Sequence, residues 1–402
     1  MPEPLDVVVA GTGMYVCGTG TAGLGTILPA LLQARRAGRV GRIALVARDG
    51  RAFGAVGAKV AEIARLVGAD PAVDRFPPAA GEEPAAWRAA FAAARERARP
   101  AAAIVATPDH LHAAVAADAL EAGLPVLVTK PLAPTVAEAR ALVECCRRRG
   151  GYGAVEFHKR LDPANRELGA TIARGELGEP LHVHVDFSQR RSIPGTVFRR
   201  WAARSSVFQY LGVHYVDLIH HLTGARPLRA TATAQHGVLR AAGIDTPDAI
   251  QALVEWERGG RRFASTFSTS WVDPEGTTAM SYQAIRVLGT AGRYASDQRA
   301  RGVEKVTDSG GAEEVNPHFC RRFRSDDGRG EVFAGYGVDS IDQFLADAAD
   351  VLARRVAPGA LEGRRPTFRD ALVSTAVVEA VHLSLARGAW IGFAEDLTPV
   401  AP

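Results

Sequence analysis

The sequence predicts an α/β protein of two domains. A parallel sheet wrapped by helices occupies residues 1–152, and an α/β domain on a mostly antiparallel sheet occupies residues 153–402. Three observations predict this. Up to residue 152, short and uniformly apolar runs alternate with stretches of helical period, the pattern of parallel strands covered on both faces. Beyond it the period becomes two, as in strands with one face covered. And 402 residues are more than one hydrophobic core usually serves.

The elements follow in order. DVVVAG is a strand that runs into glycines, and GTILPALLQARRAG is a helix stopped at Gly38. RIALVARDG and AAIVATP are the next strands, and HLHAAVAADALEAG is a helix stopped by Gly123. PVLVTKP is a further strand. TVAEARALVECCRRRG is a helix with Thr135 as N-cap and Gly150 past its end. In the second domain PLHVHVDFSQR, RATATAQHG, AIQALVEWERGGRRFASTFSTSW and QAIRVLGTAGRYASD alternate apolar with polar, and ERGG reads as a hairpin turn. Segments 188–205 and 298–330 are rich in Arg and turn residues and suit a lid or a partner contact. The alanine-rich tract 79–103 reads as a helix surface.

Composition narrows the function. The chain is 47% hydrophobic and 23% charged, as in soluble globular proteins. Its 48 basic and 44 acidic residues are interspersed and leave a net charge of only +4, which argues against a nucleic-acid partner. Cys17, Cys145, Cys146 and Cys320 form neither a disulfide framework nor a zinc pattern, so a reducing, cytoplasmic setting is expected. The sequence carries no secretory leader pattern and no apolar run long enough for a membrane span, and no metal site is expected.

The glycine run after the first strand points to a dinucleotide. Such a turn lets backbone N–H groups approach a pyrophosphate. Gly11 and Gly13, with Met14 after them, fit the start of the fingerprint; the third glycine position is Val16. The second strand ends Val46-Ala47-Arg48-Asp49. An acid there accepts from a ribose 2′-OH, and an Arg tolerates a 2′-phosphate. Arg48 holds the expected contact position and tilts the choice slightly from NAD towards NADP. The competing reading leaves Arg48 in solvent and Asp49 capping a turn.

The most specific stretch is ATPDHLHAAVAADALEAGLPVLVTKPLAPTVAEARALVE, residues 106–144. It resembles the glucose-fructose oxidoreductase / inositol dehydrogenase / MocA family, whose pattern is T-P-x-x-x-H, a helix, then A-G-x-x-V-x-x-E-K-P-L-A-x-T-x-x-E-A. Thr107, Pro108, His112, Ala122, Gly123, Lys130, Pro131, Leu132, Ala133, Thr135, Glu138 and Ala139 match. Thr129 stands where the family has Glu before the Lys. GVHYVDLIHHLTGARP, VLGTAGRY and the final RPTFRDALVSTAVVEAVHLSLARGAWI extend the likeness over nearly the whole chain. The resemblance implies a Rossmann dinucleotide-binding domain, then an α/β domain with a large open, mostly antiparallel sheet through which family members form homodimers or homotetramers. It further implies an NAD(P)-dependent oxidoreductase that moves a hydride to or from a secondary alcohol of a sugar, cyclitol or sugar derivative. Two rival readings are a glycoside-modifying enzyme that uses a retained cofactor transiently, and a non-catalytic cofactor-binding sensor.

By the same resemblance Lys130 and His214 are the catalytic pair. Tyr210 stands where many members carry an Asp four residues before that His, and it is the candidate third member of a proton relay. Helical spacing sets Tyr210, His214, Asp217 and His221 roughly on one face. Thr107, Pro108, His112, Lys130 and Pro131 join Gly11, Gly13, Met14 and Arg48 as cofactor contacts. Lys159, Arg160, Asp217 and Arg190 are candidate substrate contacts, with Arg190 and Arg191 suited to an anionic group or to solvent.

Overall fold

A computed structural model of the protein describes residues 3–400. The chain divides into two units, one of residues 1–133, 137–158 and 318–370, the other of 134–136, 159–317 and 371–402. The period change at residue 152 implies a single break. The fold instead returns residues 318–370 to the first unit, because Val338, Ile341, Phe344 and Leu345 belong to its core.

In the first unit β1 (Leu5–Ala10) is buried at every position. After it come α1 (Met14–Cys17), α2 (Ile27–Arg36), β2 (Val40–Val46), α3 (Phe53–Val67), β3 (Asp74–Phe76) and α4 (Trp87–Glu96). Then follow β4 (Ala101–Val105), α5 (His112–Glu121), β5 (Val126–Thr129), α6 (Val136–Arg149) and β6 (Gly153–Glu156). The strands form one parallel sheet in the order β3-β2-β1-β4-β5-β6. The glycine stops hold: Gly38, Gly123 and Gly150 all have positive φ beyond their helices. β3 was not expected, since three half-exposed residues leave no apolar run. Nor was α1, a single turn between the glycine turn and the expected helix.

In the second unit come α7 (Pro163–Ala173), β7 (Pro180–Arg190), α8 (Val213–Thr223), β8 (Arg226–Gln235), α9 (Val238–Ala241), β9 (Ala249–Arg258), β10 (Arg261–Asp273), β11 (Ser281–Gly289) and β12 (Arg293–Asp297). The hairpin β13 (Glu304–Thr307) with β14 (Gly311–Glu314) closes this stretch. The hairpin β15 (Arg321–Arg324) with β16 (Glu331–Ala334), and the helix α10 (Tyr336–Leu352), belong to the first unit. The chain finishes in the second unit with α11 (Ala371–Arg387), β17 (Ile391–Phe393) and β18 (Pro399–Val400). The large sheet runs β12-β11-β7-β10-β9-β8-β17-β18. All its pairs are antiparallel except β7 with β10. Gly259 and Gly260, at φ +58° and +81°, make the tight turn that pairs Arg258 with Arg261, as ERGG predicts. One face is apolar: Val183, Val185 and Phe187 of β7 lie beside Phe267 and Trp271 of β10, all buried. α11 packs along β8 and α8.

Gly11 holds the glycine turn by close approach. Its φ is +125°, and a Cβ there would sit 2.2 Å from the carbonyl oxygen of Ala106. Gly13 has open space where a Cβ would stand. Gly11→Ala is therefore expected to lose about 2–4 kcal/mol of stability, while Gly13→Ala stays within about 0.5 kcal/mol of wild type. Urea unfolding midpoints check this; equal midpoints for the two variants reject close approach as the reason for Gly11.

Candidate active site

The sequence-predicted residues lie in both units, and each group is built by its own unit. In the Rossmann unit the ends of β1, β4, β5 and β6 carry the chemistry, the place where such sheets bind ligands. Gly13 leaves the backbone bare after β1, while Gly11 lets the turn close on Ala106. The Thr107 hydroxyl, just past β4, is buried with no hydrogen-bond partner among the described residues. An open glycine cradle and an orphaned hydroxyl fit the pyrophosphate and ribose of a dinucleotide, which brings those partners with it.

His112 serves as a clamp. Its Nδ1 lies 2.7 Å from the Pro131 carbonyl and its Nε2 2.8 Å from the Thr107 carbonyl, tying the turn after β4 to the Lys130-Pro131 turn. Thr129 donates to the Val105 carbonyl at 3.1 Å, so the residue that replaces the family's Glu joins β5 to β4. Lys130 follows directly. Burial pulls its ammonium down to about 7, against the opposing pull of Asp109 and Glu156. The residue as a whole is half-buried.

Glu156, which sequence reasoning did not single out, is the polar centre of this unit. It ends β6, is 2% exposed, and accepts from Tyr15 Oη at 2.9 Å, Ser340 Oγ at 2.6 Å and His158 Nδ1 at 2.9 Å. The His158 ring lies against Tyr15, Phe319 and Tyr336. A signal was present: an acid closing the apolar run GAVE at a parallel strand's C-terminal end.

The cofactor-choice residues diverge. Asp49 caps the turn after β2 by accepting from the Arg51 N–H at 2.9 Å, and it also takes the Arg51 guanidinium. That hydrogen bonding holds its carboxyl at about 2. Arg48 is exposed and reaches Glu82 at 3.2 Å.

In the second unit α8 carries His214 and Asp217, 3% and 1% exposed. Asp217 is held in a fork by Arg160, at 2.8 and 2.6 Å, so two of the candidate substrate contacts neutralise one another. Lys159 donates to Gln298 at 3.2 Å and lies 3.6 Å from Asp162, which is itself forked by Arg301. Burial lowers Lys159 to about 8, with Asp162 opposing and Arg301 assisting. Its ammonium stands 6.0 Å from the ring centres of Phe187 and Tyr215, and His214 lies 6.3 Å from Phe187. Arg190 donates to the Thr277 hydroxyl at 2.9 Å and to the Thr277 carbonyl.

Tyr210 departs from the helical spacing that sets it below His214. It lies in a π turn, Phe208–Gly212, that precedes α8. Gly212 allows that turn, since a Cβ there would press to 2.7 Å of the Phe208 ring. The Tyr210 ring packs with Phe198, Trp201 and Trp271, at 4.9, 6.1 and 5.7 Å between centres.

Among the described residues no cluster of His, Cys, Asp and Glu suits a metal ion, and no helix is long and apolar enough to cross a membrane. The Arg160–Asp217 fork carries a stability prediction. Asp217→Ala strands a buried guanidinium and is expected to cost about 3–5 kcal/mol, whereas Arg160→Met with Asp217→Leu costs clearly less. Chemical denaturation of both variants checks it; a mild Asp217→Ala sinks the fork as a structural tie.

Comparisons with known proteins agree with this architecture. The oxidoreductase family with an NAD-binding Rossmann fold matches residues 12–157, and the GFO/IDH/MocA C-terminal domain matches residues 165–295. Rhizopine catabolism protein MocA of Rhizobium meliloti is 29% identical over 44% of this chain and 57% of its own length. The scyllo-inositol 2-dehydrogenase (NAD(+)) of Bacillus subtilis is 26% identical over 54% of this chain and 62% of its own. These matches thus span about three-fifths of those relatives. Levoglucosan dehydrogenase of Pseudarthrobacter phenanthrenivorans is 25% identical over 71% of this chain and 78% of its own. An inositol dehydrogenase homolog of Azotobacter vinelandii, solved with NADH and myo-inositol, superposes with TM-score 0.67 at 21% identity, covering 97% of this chain and 98% of its own. The two domain matches, in order along a chain with the Thr107-Pro108 and Lys130-Pro131 signatures, make this protein a member of the Gfo/Idh/MocA oxidoreductase family.

Proposed function

We propose that this protein is a nicotinamide-dependent dehydrogenase or reductase acting on a secondary alcohol of a sugar, cyclitol or sugar derivative. One observation carries the reading: Lys130 follows β5 directly, at the C-terminal end of a parallel strand and on the turn that His112 ties to Thr107, and burial there lowers its ammonium towards neutrality. The relatives' names support the substrate class, since they include dehydrogenases of inositols and of levoglucosan.

The bound nicotinamide supplies the hydride acceptor or donor. Gly11, Gly13, Met14, Thr107 and Pro108 hold the cofactor, with His112 fixing the turns that carry Thr107 and Lys130. Lys130 donates a hydrogen bond to the reacting oxygen and stabilises charge on it. His214 moves the hydroxyl proton, and Tyr210 extends that relay. Lys159 and Arg190 contact the substrate, while Arg160 and Asp217 set its walls. The four cysteines are unpaired, which suits a reducing, cytoplasmic compartment. Self-association to a homodimer or homotetramer through the large sheet completes the reading.

The test is a screen of sugars and cyclitols with NAD and NADP, read at the nicotinamide absorbance, followed by variants on the best substrate. Lys130→Ala lowers turnover by about 10³-fold or more with cofactor affinity nearly intact. His214→Ala and Tyr210→Phe each cost about 10²-fold, and together less than the product of the two. The ammonium form is the working one, so kcat/KM is fully present below pH 7 and falls as pH rises through about 7. Near wild-type turnover in Lys130→Ala removes the reading.

Cofactor choice is tested separately. Asp49 is engaged by Arg51, which leaves Arg48 to meet a 2′-phosphate in competition with Glu82. Arg48→Ala is expected to weaken NADPH binding by about tenfold, the scale of a charge-assisted hydrogen bond, with little change for NADH. Cofactor fluorescence titration reads both constants, and equal effects place Arg48 outside the cofactor contacts.

A further inference from the structure

The Lys130 neighbourhood carries one inference beyond the family reading. The family pattern places an acid immediately before this lysine, and here that position is Thr129, whose hydroxyl is already bonded to the Val105 carbonyl. The parallel register of β5 with β6 sets Glu156 beside Thr129 on the adjoining strand. Glu156 is buried and accepts three hydrogen bonds, from Tyr15, His158 and Ser340. A buried carboxylate with that many donors has a fixed position.

We propose that Glu156 is a second positioning carboxylate of Lys130 beside Asp109, supplying from the neighbouring strand the negative charge that Thr129 lacks, and that Tyr15 ties it to the residues just after the glycine turn. This rests on Lys130 being the group that holds the reacting oxygen. Composition points the same way. The chain has four lysines, Lys59, Lys130, Lys159 and Lys305, beside a large excess of arginine. An arginine stays charged wherever it is placed, whereas a lysine can release its proton when enclosed. Keeping a lysine at 130 keeps a titratable cation, and such a cation needs a negative neighbour to stay charged near neutrality.

Asp109, from the turn after β4, and Glu156 both favour the ammonium of Lys130. His112, at the start of α5, bonds the Pro131 carbonyl. Around Glu156 stand His158 and Tyr15, and around Tyr15 stand Cys320 and Tyr336. The Tyr15 hydroxyl is held well above its usual value by burial first and by Glu156 next, so it remains a donor to the carboxylate. From the returning segment 318–370, Ser340 donates to this acid, and Phe319 and Tyr336 pack on the His158 ring that also bonds it.

The experiment needs no substrate. The 402-residue chain labelled with 13C at lysine gives at most four side-chain sites, and Lys130→Met assigns the one of interest. In the wild type its shift is expected to titrate near neutrality. Glu156→Gln is expected to move that midpoint down by on the order of one pH unit, the scale of losing a nearby opposite charge. Lys159 serves as the internal reference and stays in place. Glu156→Asp, which keeps the charge but withdraws it, moves the midpoint down by less; it carries the test alone if Glu156→Gln does not fold. A Lys130 midpoint unmoved in the folded variant overturns the inference, whatever Lys130→Ala does to turnover. Conversely, an active Lys130→Ala overturns the proposed function and leaves the electrostatic tie between Glu156 and Lys130 standing.

Discussion

Enclosing a lysine cation is the constraint on which the Rossmann unit's site depends. Moving an ammonium out of water is costly, and the lysine answers by surrendering its proton unless negative charge is brought to it. Asp109 and Glu156 bring that charge from the ends of β4 and β6, the strands on either side of β5. Each must itself be held. Glu156 is held by Tyr15, His158 and Ser340, and the turn that bears Lys130 is held by His112. The site is therefore a property of three adjacent parallel strands and of the segment that returns after residue 317. No single motif contains it.

The second unit solves a related problem by a different route. Arg160 with Asp217, and Arg301 with Asp162, are planar forks that match a buried guanidinium to a carboxylate. Such pairs are neutral as units and rigid in geometry. They position α8 and the turn after β6 and leave little charge for a ligand. Lys159 sits among them with a neutral partner in Gln298 and a carboxylate 3.6 Å away. It is the cation of that network with a proton to lose near physiological pH. In this network the arginines fix structure, and Lys159 is the cation whose protonation can change.

Much of the fold was legible because local rules agree there with the global one. The apolar run DVVVAG, the stops at Gly38 and Gly123, and the ERGG turn each follow from backbone preference alone, and each is found. β3 was not legible, because Asp-Arg-Phe at a sheet edge has no buried face to leave a period. The π turn at Phe208–Gly212 was hidden for another reason. Its residues have helical spacing on paper, and only the contact of Gly212 with the Phe208 ring betrays a wider turn.

The site was legible only where its chemistry is encoded by neighbours in sequence. Lys130-Pro131 and Thr107-Pro108 announce themselves through short spacing. The Arg160–Asp217 fork spans 57 positions, and the Tyr15–Glu156 bond spans 141. No local pattern records such pairs. Thr129 illustrates the consequence most sharply. Read along the chain, it is an acid lost from a catalytic signature and weighs against activity. Read across the sheet, it faces an acid one strand away, in register and already anchored by three donors. A parallel sheet presents the ends of several strands to one ligand, so a charge can pass from one strand end to the next without leaving the site. On the proposal that Glu156 helps to position Lys130, the departure at 129 is a relocation of the charge.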